Sequence, residues 1–319
     1  MEREHPHIPV LLCGNAGHDV LEILRPREGE KVLDATVGLG GHSEAFLKAI
    51  GSSGVLTAVD ADEENLSYAR ERLKEWKNSC RFIHANFRTI GALGLGRFSM
   101  IFADLGVSSP HFDDPDRGFS FRFDAPLDLR FDRKRGVTAA AFLKESSEEQ
   151  IHRVLKEYGE VQNAQRLASV FYGEARHRPT ALNTTAGLRT LVERTFGFRA
   201  KELLPQIFQA LRIAVNDELA ALGEFLEAAP SLLEPGGRLG IISFHSLEDR
   251  MVKKAFKEWS TPQKDPVTGE DVQSAPFSLL TPKAIVPSER EARENPRARS
   301  AKFRAVRKLD QSMTEPPVS

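Results

Sequence analysis

The chain has 319 residues, with 45 acidic and 44 basic side chains and a formal net charge of -1. It is long enough to bury a large core, and its balanced charge means that any nucleic-acid surface must be a local patch. Its two cysteines, Cys13 and Cys80, predict neither a disulfide framework nor a metal site, and with no long apolar run or signal peptide we expect a soluble, cytoplasmic protein.

The first predicted elements are a strand, a glycine-rich turn and a helix. Residues 32–34 are an apolar pair followed by Asp, which predicts a short buried strand. Gly38, Gly40 and Gly41 follow, and they tolerate backbone angles closed to other residues while letting a ligand approach the main chain. Ser43 is predicted to cap the helix. The apolar face of that helix is Ala45, Phe46, Ala49 and Ile50.

The glycine pattern bears on the choice of cofactor. It matches neither the G-x-G-x-x-G of dinucleotide folds nor the G-K-[ST] of a P-loop. Residues 54–60 predict a second buried strand ending in Asp60, which could accept hydrogen bonds from both ribose hydroxyls of a nucleoside. Together these features favour S-adenosylmethionine over NAD. The alternative for the loop is a tight turn with a helix cap.

A helix and a third strand come next. Asp62 is predicted to open the helix, and Cys80–His84 predicts the strand. Phe87 follows in a loop where an adenine would lie in this architecture. It could press on that ring or pack within its own domain. The helix has one apolar face, formed by Leu66, Ala69, Leu73 and Trp76.

The fourth predicted strand, Ser99–Asp104, is again apolar and ends in an acid. Carboxyl ends of parallel strands share one sheet edge, so Asp34, Asp60 and Asp104 should converge there. Residues 105–124 form a loop rich in Asp, Arg and Phe that is too long for a mere connection.

A helical pattern extends from about Thr138 to Arg199 with no strand signal, which predicts an inserted all-helical subdomain. Its basic residues could meet a polyanion or simply lie on solvated helix faces. They are Arg166, Arg176, His177, Arg178, Arg189 and Arg194.

The rest of the chain should return to the sheet. One long amphipathic helix is predicted over 207–226, a fifth strand over 239–243, and a polar loop over 261–274. Residues 301–307 alternate like a half-buried strand with a basic outer face, and a frayed tail closes the chain. The expected fold is α/β, a Rossmann-like sheet with an inserted helical subdomain. The predicted bounds are 1–125 and 206–309 for the sheet domain, 126–205 for the insert and 310–319 for the tail.

Long ordered motifs give the chain a resemblance to the MraW/RsmH family. Members are S-adenosylmethionine-dependent methyltransferases of class I fold that modify the exocyclic N4 amine of a cytidine in small-subunit ribosomal RNA. The motifs that carry the resemblance are His7-Ile-Pro-Val-Leu-Leu12, Gly40-Gly-His-Ser43, Asp104-Leu-Gly-Val-Ser-Ser-Pro110, Asp113-Asp-Pro-Asp-Arg-Gly-Phe-Ser-Phe121, Tyr158-Gly-Glu160, Phe208-Gln-Ala-Leu-Arg-Ile213, Ile242-Ser-Phe-His-Ser-Leu-Glu-Asp-Arg250 and Asn295-Pro-Arg-Ala-Arg-Ser300.

The resemblance implies S-adenosyl-L-methionine as cofactor and small-subunit ribosomal RNA as partner, within the small subunit, with no metal and no membrane. A homodimer is left open. Our hypothesis is that Asp104 and the Ser108-Ser109 turn orient the amine and that His245 or bulk water accepts its proton. The cofactor contacts that the family implies are Gly40, Gly41, His42, Asp60, Phe87, Asp104 and His111.

The chain departs from the family pattern at Gly14, Val37, Leu39, His111 and Gln206. These departures bear on the affinity of the protein for its cofactor or RNA. They also leave a second interpretation, a non-catalytic RNA-binding factor for ribosome assembly that keeps the fold. Binding of S-adenosylmethionine discriminates between the two.

An aromatic and basic stretch is a candidate RNA surface. Phe119, Phe121 and Phe123 alternate with Arg117 and Arg122, which would suit base stacking and phosphate contact. The alternative is that the three rings pack in the core.

Overall fold

The computed structural model describes residues 9–12, 19–265, 268 and 270–310. Cys13, Gly14, the first residues of the predicted His7–Leu12 segment and the predicted tail from 311 lie outside this description. One unit comprises the described residues of Met1–Gly106 and Ala221–Ser319, and a second unit is Val107–Ala220.

Helices and strands alternate through the first unit, and helices fill the second. The helices are α1 (Val20–Leu24), α2 (Gly41–Ile50), α3 (Glu63–Arg72), α4 (Ser109–Asp113), α5 (Ala139–Glu145), α6 (Glu148–Glu157), α7 (Ala164–His177), α8 (Thr185–Phe196), α9 (Ala200–Asn216), α10 (Glu218–Leu232), α11 (Ser246–Trp259) and α12 (Glu289–Glu294). The strands are β1 (Lys31–Asp34), β2 (Val55–Asp60), β3 (Cys80–His84), β4 (Phe98–Asp104), β5 (Leu233–Ser243), β6 (Gln263–Lys264), β7 (Asp271–Gln273), β8 (Phe277–Leu279) and β9 (Lys302–Lys308).

Seven strands form one sheet in the order β3-β2-β1-β4-β5-β9-β8. The pairs β1·β2, β1·β4, β2·β3 and β4·β5 are parallel, whereas β9 runs antiparallel to β5 and β8. The strand order reverses between β1 and β4, and ligands bind at such switch points outside the carboxyl ends of the strands. Asp34, Asp60 and Asp104 end β1, β2 and β4, so the predicted convergence is confirmed.

Apolar layers cover both faces of the sheet. Successive strand residues point to opposite sides, so Val32 and Phe102 join the layer of α1, α2 and α3. Leu33 and Ile101 join the other layer, which contains Phe225 of α10 and residues of α11. Burial on both faces explains why these strands read as continuous apolar runs rather than alternating ones.

Two predictions for the C-terminal part need correction. The polar loop predicted over 261–274 contains the β6·β7 hairpin. The predicted outward basic face of the last strand is wrong for Arg304, because its guanidinium pairs with Asp249 at 2.7 Å and its side chain is only 12% exposed.

The second unit has its own apolar core, drawn from α5 to α9. Its fully buried side chains include Leu143, Ile151, Leu167, Phe171 and Leu188. Within this described unit no strand occurs, only an isolated bridge between Pro126 and Thr184. The helical pattern predicted from about Thr138 to Arg199 is confirmed.

The single long helix predicted over 207–226 is wrong. Asp217 takes the left-handed conformation at φ 51°, which ends α9 before α10 begins. Asn216 fixes this break, because its Nδ2 donates to the Leu129 carbonyl at 2.7 Å and its Oδ1 accepts the Phe131 N–H at 2.8 Å. Among the described residues, no helix combines the length and the apolar character needed to cross a membrane.

Candidate active site

The glycine loop between β1 and α2 lies against the acid that ends β2. Gly38 and Gly40 have φ of 51° and 79°, a region that favours glycine, as predicted. The Gly38 N–H donates to Asp60 Oδ2 at 2.8 Å. A Cβ at Gly38 would meet nothing within 4 Å, so space for a ligand lies beside the backbone there.

Gly41 and His42 have different roles from the glycines before them. Gly41 is not among the residues with positive φ, so of the three glycines only Gly38 and Gly40 use the backbone freedom that glycine allows. A larger residue does not fit at Gly41, because its Cβ would lie 2.4 Å from the Pro9 Cγ. His42 is buried, with its Nε2 2.9 Å from the Val10 carbonyl oxygen and its ring against Phe102. Both residues thus hold the segment 9–12, and their contact with cofactor stays a prediction.

Ser43 does not cap α2, because the N-cap position is Gly40. Its hydroxyl instead donates to Asp34 Oδ2 at 2.6 Å, and both side chains are buried. Burial raises the pKa of Asp34 to about 7, although the hydrogen bond from Ser43 opposes this shift. Burial thus disfavours the charged form of this carboxyl at the sheet edge.

Asp60 organises the loop from the end of β2. Besides the Gly38 N–H, its carboxylate accepts the Asp62 N–H at 2.8 Å and a longer bond from Asn65. Burial raises the pKa of Asp60 to about 6, although the two backbone hydrogen bonds lower it. Sequence reasoning missed the loop-holding role of Asp60, although an acid facing a glycine turn across parallel strands is a signal for it.

Asp104 is the third acid of this edge. Its N–H donates to Thr36 Oγ1 at 2.6 Å, a contact that the sequence did not reveal. Its Oδ2 lies 3.6 Å from His42 Nδ1, while its Oδ1 is buried and has no hydrogen-bond partner in the part of the chain that the structure describes. Burial, together with the charges of Asp34 and Glu248, raises the pKa of Asp104 well above its usual value. A buried oxygen without a partner is costly unless a ligand satisfies it.

Phe87 is half-buried at the start of a short 3-10 turn after β3, where the Asn86 side chain accepts the Arg88 N–H. Its ring packs edge-on against Phe225 at 5.5 Å. The packing that was the alternative interpretation therefore exists. A stacking role toward adenine stays a prediction.

His111 belongs to the second unit, where it is 2% exposed. Its Nδ1 accepts the Ser108 N–H at 3.0 Å in a capping box at the start of α4. Its ring packs against Phe119 and Phe131 at 4.8 and 5.3 Å. These contacts give His111 a structural role, and its predicted contact with cofactor stays untested.

His245 is the N-cap of α11, and its side chain is 7% exposed. Its Nδ1 accepts the Glu248 N–H at 3.4 Å, and Glu248 Oε2 accepts the N–H groups of Phe244 and His245. The His245 Nε2 lies 3.1 Å from Glu248 Oε1. The structure thus gives His245 the structural hydrogen bonding that competes with its predicted catalytic role.

The predicted aromatic and basic RNA surface is only partly on the surface. Arg117 is 2% exposed and donates to the carbonyls of Arg130 and Phe131, and Phe119 is 5% exposed in the core. For these two residues the surface prediction is wrong, because the loop folds back on the helices. Arg122 and Phe123 remain exposed.

The departures from the family pattern lie at ordinary packing positions. Val37 is buried and Leu39 half-buried in the glycine loop. Gln206 is half-buried on α9, and Gly14 is outside the described residues.

The sheet order, the glycine loop and the acid ending β2 define a class, an α/β enzyme that holds a nucleoside-containing cofactor at the carboxyl edge of its sheet. Residues 4–309 match the model of the MraW methylase family, and the chain belongs to that family. It is therefore an S-adenosyl-L-methionine-dependent methyltransferase, which confirms the resemblance seen in its motifs.

Relatives match over nearly the whole length. A protein of Cyanothece sp. named "Ribosomal RNA small subunit methyltransferase H" is 44% identical over 312 residues, covering 97% of each chain. One of the same name from Heliobacterium modesticaldum is 42% identical, covering 95% of this chain and 98% of its own. Among solved structures, TrmN from Thermus thermophilus is 16% identical with a TM-score of 0.41, covering 91% of this chain and 47% of that one.

The residues present fit S-adenosyl-L-methionine. The open space beside Gly38 admits a ligand next to the backbone, and Asp60 offers carboxylate oxygens at the position where this fold class meets a ribose. The unpartnered Oδ1 of Asp104 is a further acceptor on the same edge. Carboxylates also suit the cationic sulfonium of this donor.

Proposed function

We propose that this protein transfers a methyl group from S-adenosyl-L-methionine to the exocyclic N4 amine of a cytidine in small-subunit ribosomal RNA. The names of the relatives support the RNA substrate. The observation that carries the chemistry is the buried, unpartnered Oδ1 of Asp104 at the sheet edge that also holds the glycine loop.

Some residues of this sheet edge would hold the cofactor and its loop, and others would orient the amine of the substrate. Gly38 gives backbone access, and the Asp60 carboxylate accepts from the ribose hydroxyls while it fixes the loop. Gly40, Gly41 and His42 keep the start of α2 and the segment 9–12 in place. When bound, the cofactor supplies a methyl group on a sulfonium.

The amine is a poor nucleophile, because its lone pair is delocalised into the cytosine ring. Asp104 Oδ1 would accept one amine N–H and so hold the nitrogen in line with the methyl group. Such positioning can supply about 7 kcal/mol or more of a barrier. The new N–C bond leaves one amine proton to be lost, and His245 or bulk water would take it.

A base in folded RNA reaches such an edge only when it is flipped out or single-stranded. We take the RNA of the small subunit as substrate, within the subunit. A homodimer is compatible with this role but is not required by it.

Mass spectrometry of ribosomal RNA nucleosides tests the proposal. RNA from cells that lack the gene should lose N4-methylcytidine at one position, and purified enzyme with S-adenosylmethionine should restore it. Asp104→Asn should lower the turnover number about 100-fold, a larger effect than its loss of cofactor affinity in calorimetry. Wild-type protein that binds the cofactor but restores no methylcytidine would contradict the substrate, and protein that binds no cofactor would favour the assembly factor.

A further inference from the structure

A cleft of about 430 Å³ lies on the surface of the second unit, between the loop at Phe121 and the turn that joins α8 to α9. This volume is in the range of ligand sites. Six of its lining residues carry the argument, and we call this site the Phe198 cleft: Phe121, Arg122, Arg189, Glu193, Phe198 and Lys201.

The ring of Phe198 is fully exposed, at 103% of its reference accessibility. It stands in the 3-10 turn Gly197–Arg199. Gly197 there has φ 54° and ψ -126°, a conformation that favours glycine. A backbone turn that needs glycine and then presents a bare aromatic ring is not explained by packing of the second unit, and exposed rings often mark interaction sites.

Three cations line the same cleft as this ring, and the fold does not use all of them. Arg122 and Lys201 are exposed, and neither forms a salt bridge within the described residues. Nearby cations do have local partners, since Arg194 pairs with Glu174 and Arg199 donates to Gln162. The exposed charges at the cleft are therefore not needed to pair with acids of the helical unit.

The cleft is also fixed in shape and positive in sign. The Arg189 guanidinium donates to the Phe121 carbonyl at 2.8 Å, which ties the loop to α8. Three cations line the cleft against one acid, Glu193, which lies 3.9 Å from Arg189. A cleft that holds both an exposed ring and cations suits a base and its phosphates, because every base has a face that can stack on an aromatic side chain.

We propose that the Phe198 cleft binds a single-stranded segment of the substrate RNA, with one base stacked on Phe198 and neighbouring phosphates on Arg122 and Lys201. This inference rests on the proposed function, in which the enzyme acts on RNA. The positive charge favours RNA over an apolar peptide as the occupant.

The test uses the full-length protein and a short, fluorescently labelled single-stranded RNA of mixed sequence, with the dissociation constant measured by anisotropy over a range of salt. Phe198→Ala should weaken binding about 5- to 160-fold without changing the salt slope, and Phe198→Trp should restore affinity. The double variant of Arg122→Gln and Lys201→Gln should reduce the slope by about 0.7 per phosphate lost.

Matched controls lie outside the cleft and outside the predicted RNA surface. Tyr68→Ala removes an exposed ring on α3, and Lys144→Gln removes an exposed cation on α5. Both should leave affinity and slope near wild type. Cofactor affinity, measured by calorimetry, should be unchanged in every variant, which shows that each is folded.

The inference is overturned if Phe198→Ala binds RNA like Tyr68→Ala, or if wild-type protein does not bind the single strand. It is also overturned if Phe198→Ala weakens binding to intact small subunits but not to their naked RNA, which would assign the cleft to a protein. The proposed function fails on a different result, the absence of N4-methylcytidine with wild-type enzyme. On methylation itself, Phe198→Ala should raise KM and leave kcat unchanged.

Discussion

The sheet edge where Asp34, Asp60 and Asp104 lie is called the acidic edge. Replacing Asp34 by Asn tests whether ionising a buried carboxyl at this edge lowers the stability of the fold. Asp34 is 1% exposed, and its oxygens accept the Thr36 N–H at 3.2 Å and the Ser43 hydroxyl at 2.6 Å. An amide has nearly the same shape and satisfies both partners, since its oxygen can accept from Thr36 and its NH2 can donate to the Ser43 oxygen. The variant thus removes the charge and keeps the contacts.

The size and sign of the effect follow from the pKa of Asp34, which burial raises from 3.8 to about 7. Between these values the folded chain binds more protons than the unfolded chain, so its stability falls as the pH rises. The free energy of unfolding that wild type loses when Asp34 ionises completely is at most about 4 kcal/mol. At about pH 4 and below, Asp34→Asn should equal wild type, and above pH 7 it should be more stable by about 1–4 kcal/mol.

Urea unfolding of both proteins from about pH 5 to pH 8 measures this difference. The advantage of Asp34→Asn should grow steadily with pH, with part of the gain coming from weaker repulsion on Asp104. Asp116→Asn, which removes an exposed carboxylate, should follow wild type. A stability difference between Asp34→Asn and wild type that stays constant with pH refutes the reasoning.

Other substitutions separate the roles of single residues. Asp60→Ala should weaken cofactor binding by about 1.5–3 kcal/mol, and unchanged affinity in calorimetry would refute the ribose contact. Arg117→Lys should lower the free energy of unfolding by about 1–3 kcal/mol, since it loses donors to the carbonyls of Arg130 and Phe131, and a changed salt slope for RNA binding would contradict its buried role. His245→Ala should cost about 0.5–2 kcal/mol of stability as a lost cap, and wild-type turnover would remove it from the chemistry.

The sheet and its acidic edge were predictable because their signals are periodic. Three of the five parallel strands, β1, β2 and β4, are apolar runs that end in Asp, and topology brings such ends together without any knowledge of side-chain contacts. Ser43 was mispredicted because capping is a local rule. Its hydroxyl pairs with Asp34, nine residues earlier, and only the packing of α2 on β1 brings the two together.

Basic residues were the least predictable, because sequence gives their charge and not their burial. Arg117 and Arg304 look like nucleic-acid contacts, yet one is buried on carbonyls and the other is paired with Asp249. Arg122 carries the same signal and is exposed. Neither composition nor spacing separates these cases, since the difference depends on which loop folds back onto which helix.

Ionising the buried carboxyls of the acidic edge lowers the stability of the fold. A cationic ligand bound there would offset part of this free-energy cost. Burial raises the pKa of Asp34, Asp60 and Asp104, and the charge of Asp34 raises that of Asp104 further. A nearby cation lowers such pKa values, so part of the ionisation cost returns as binding energy. We therefore expect the edge to hold a sulfonium more strongly than the neutral thioether left after transfer. The same carboxylates that weaken the empty fold would then bind the donor and help the product to leave.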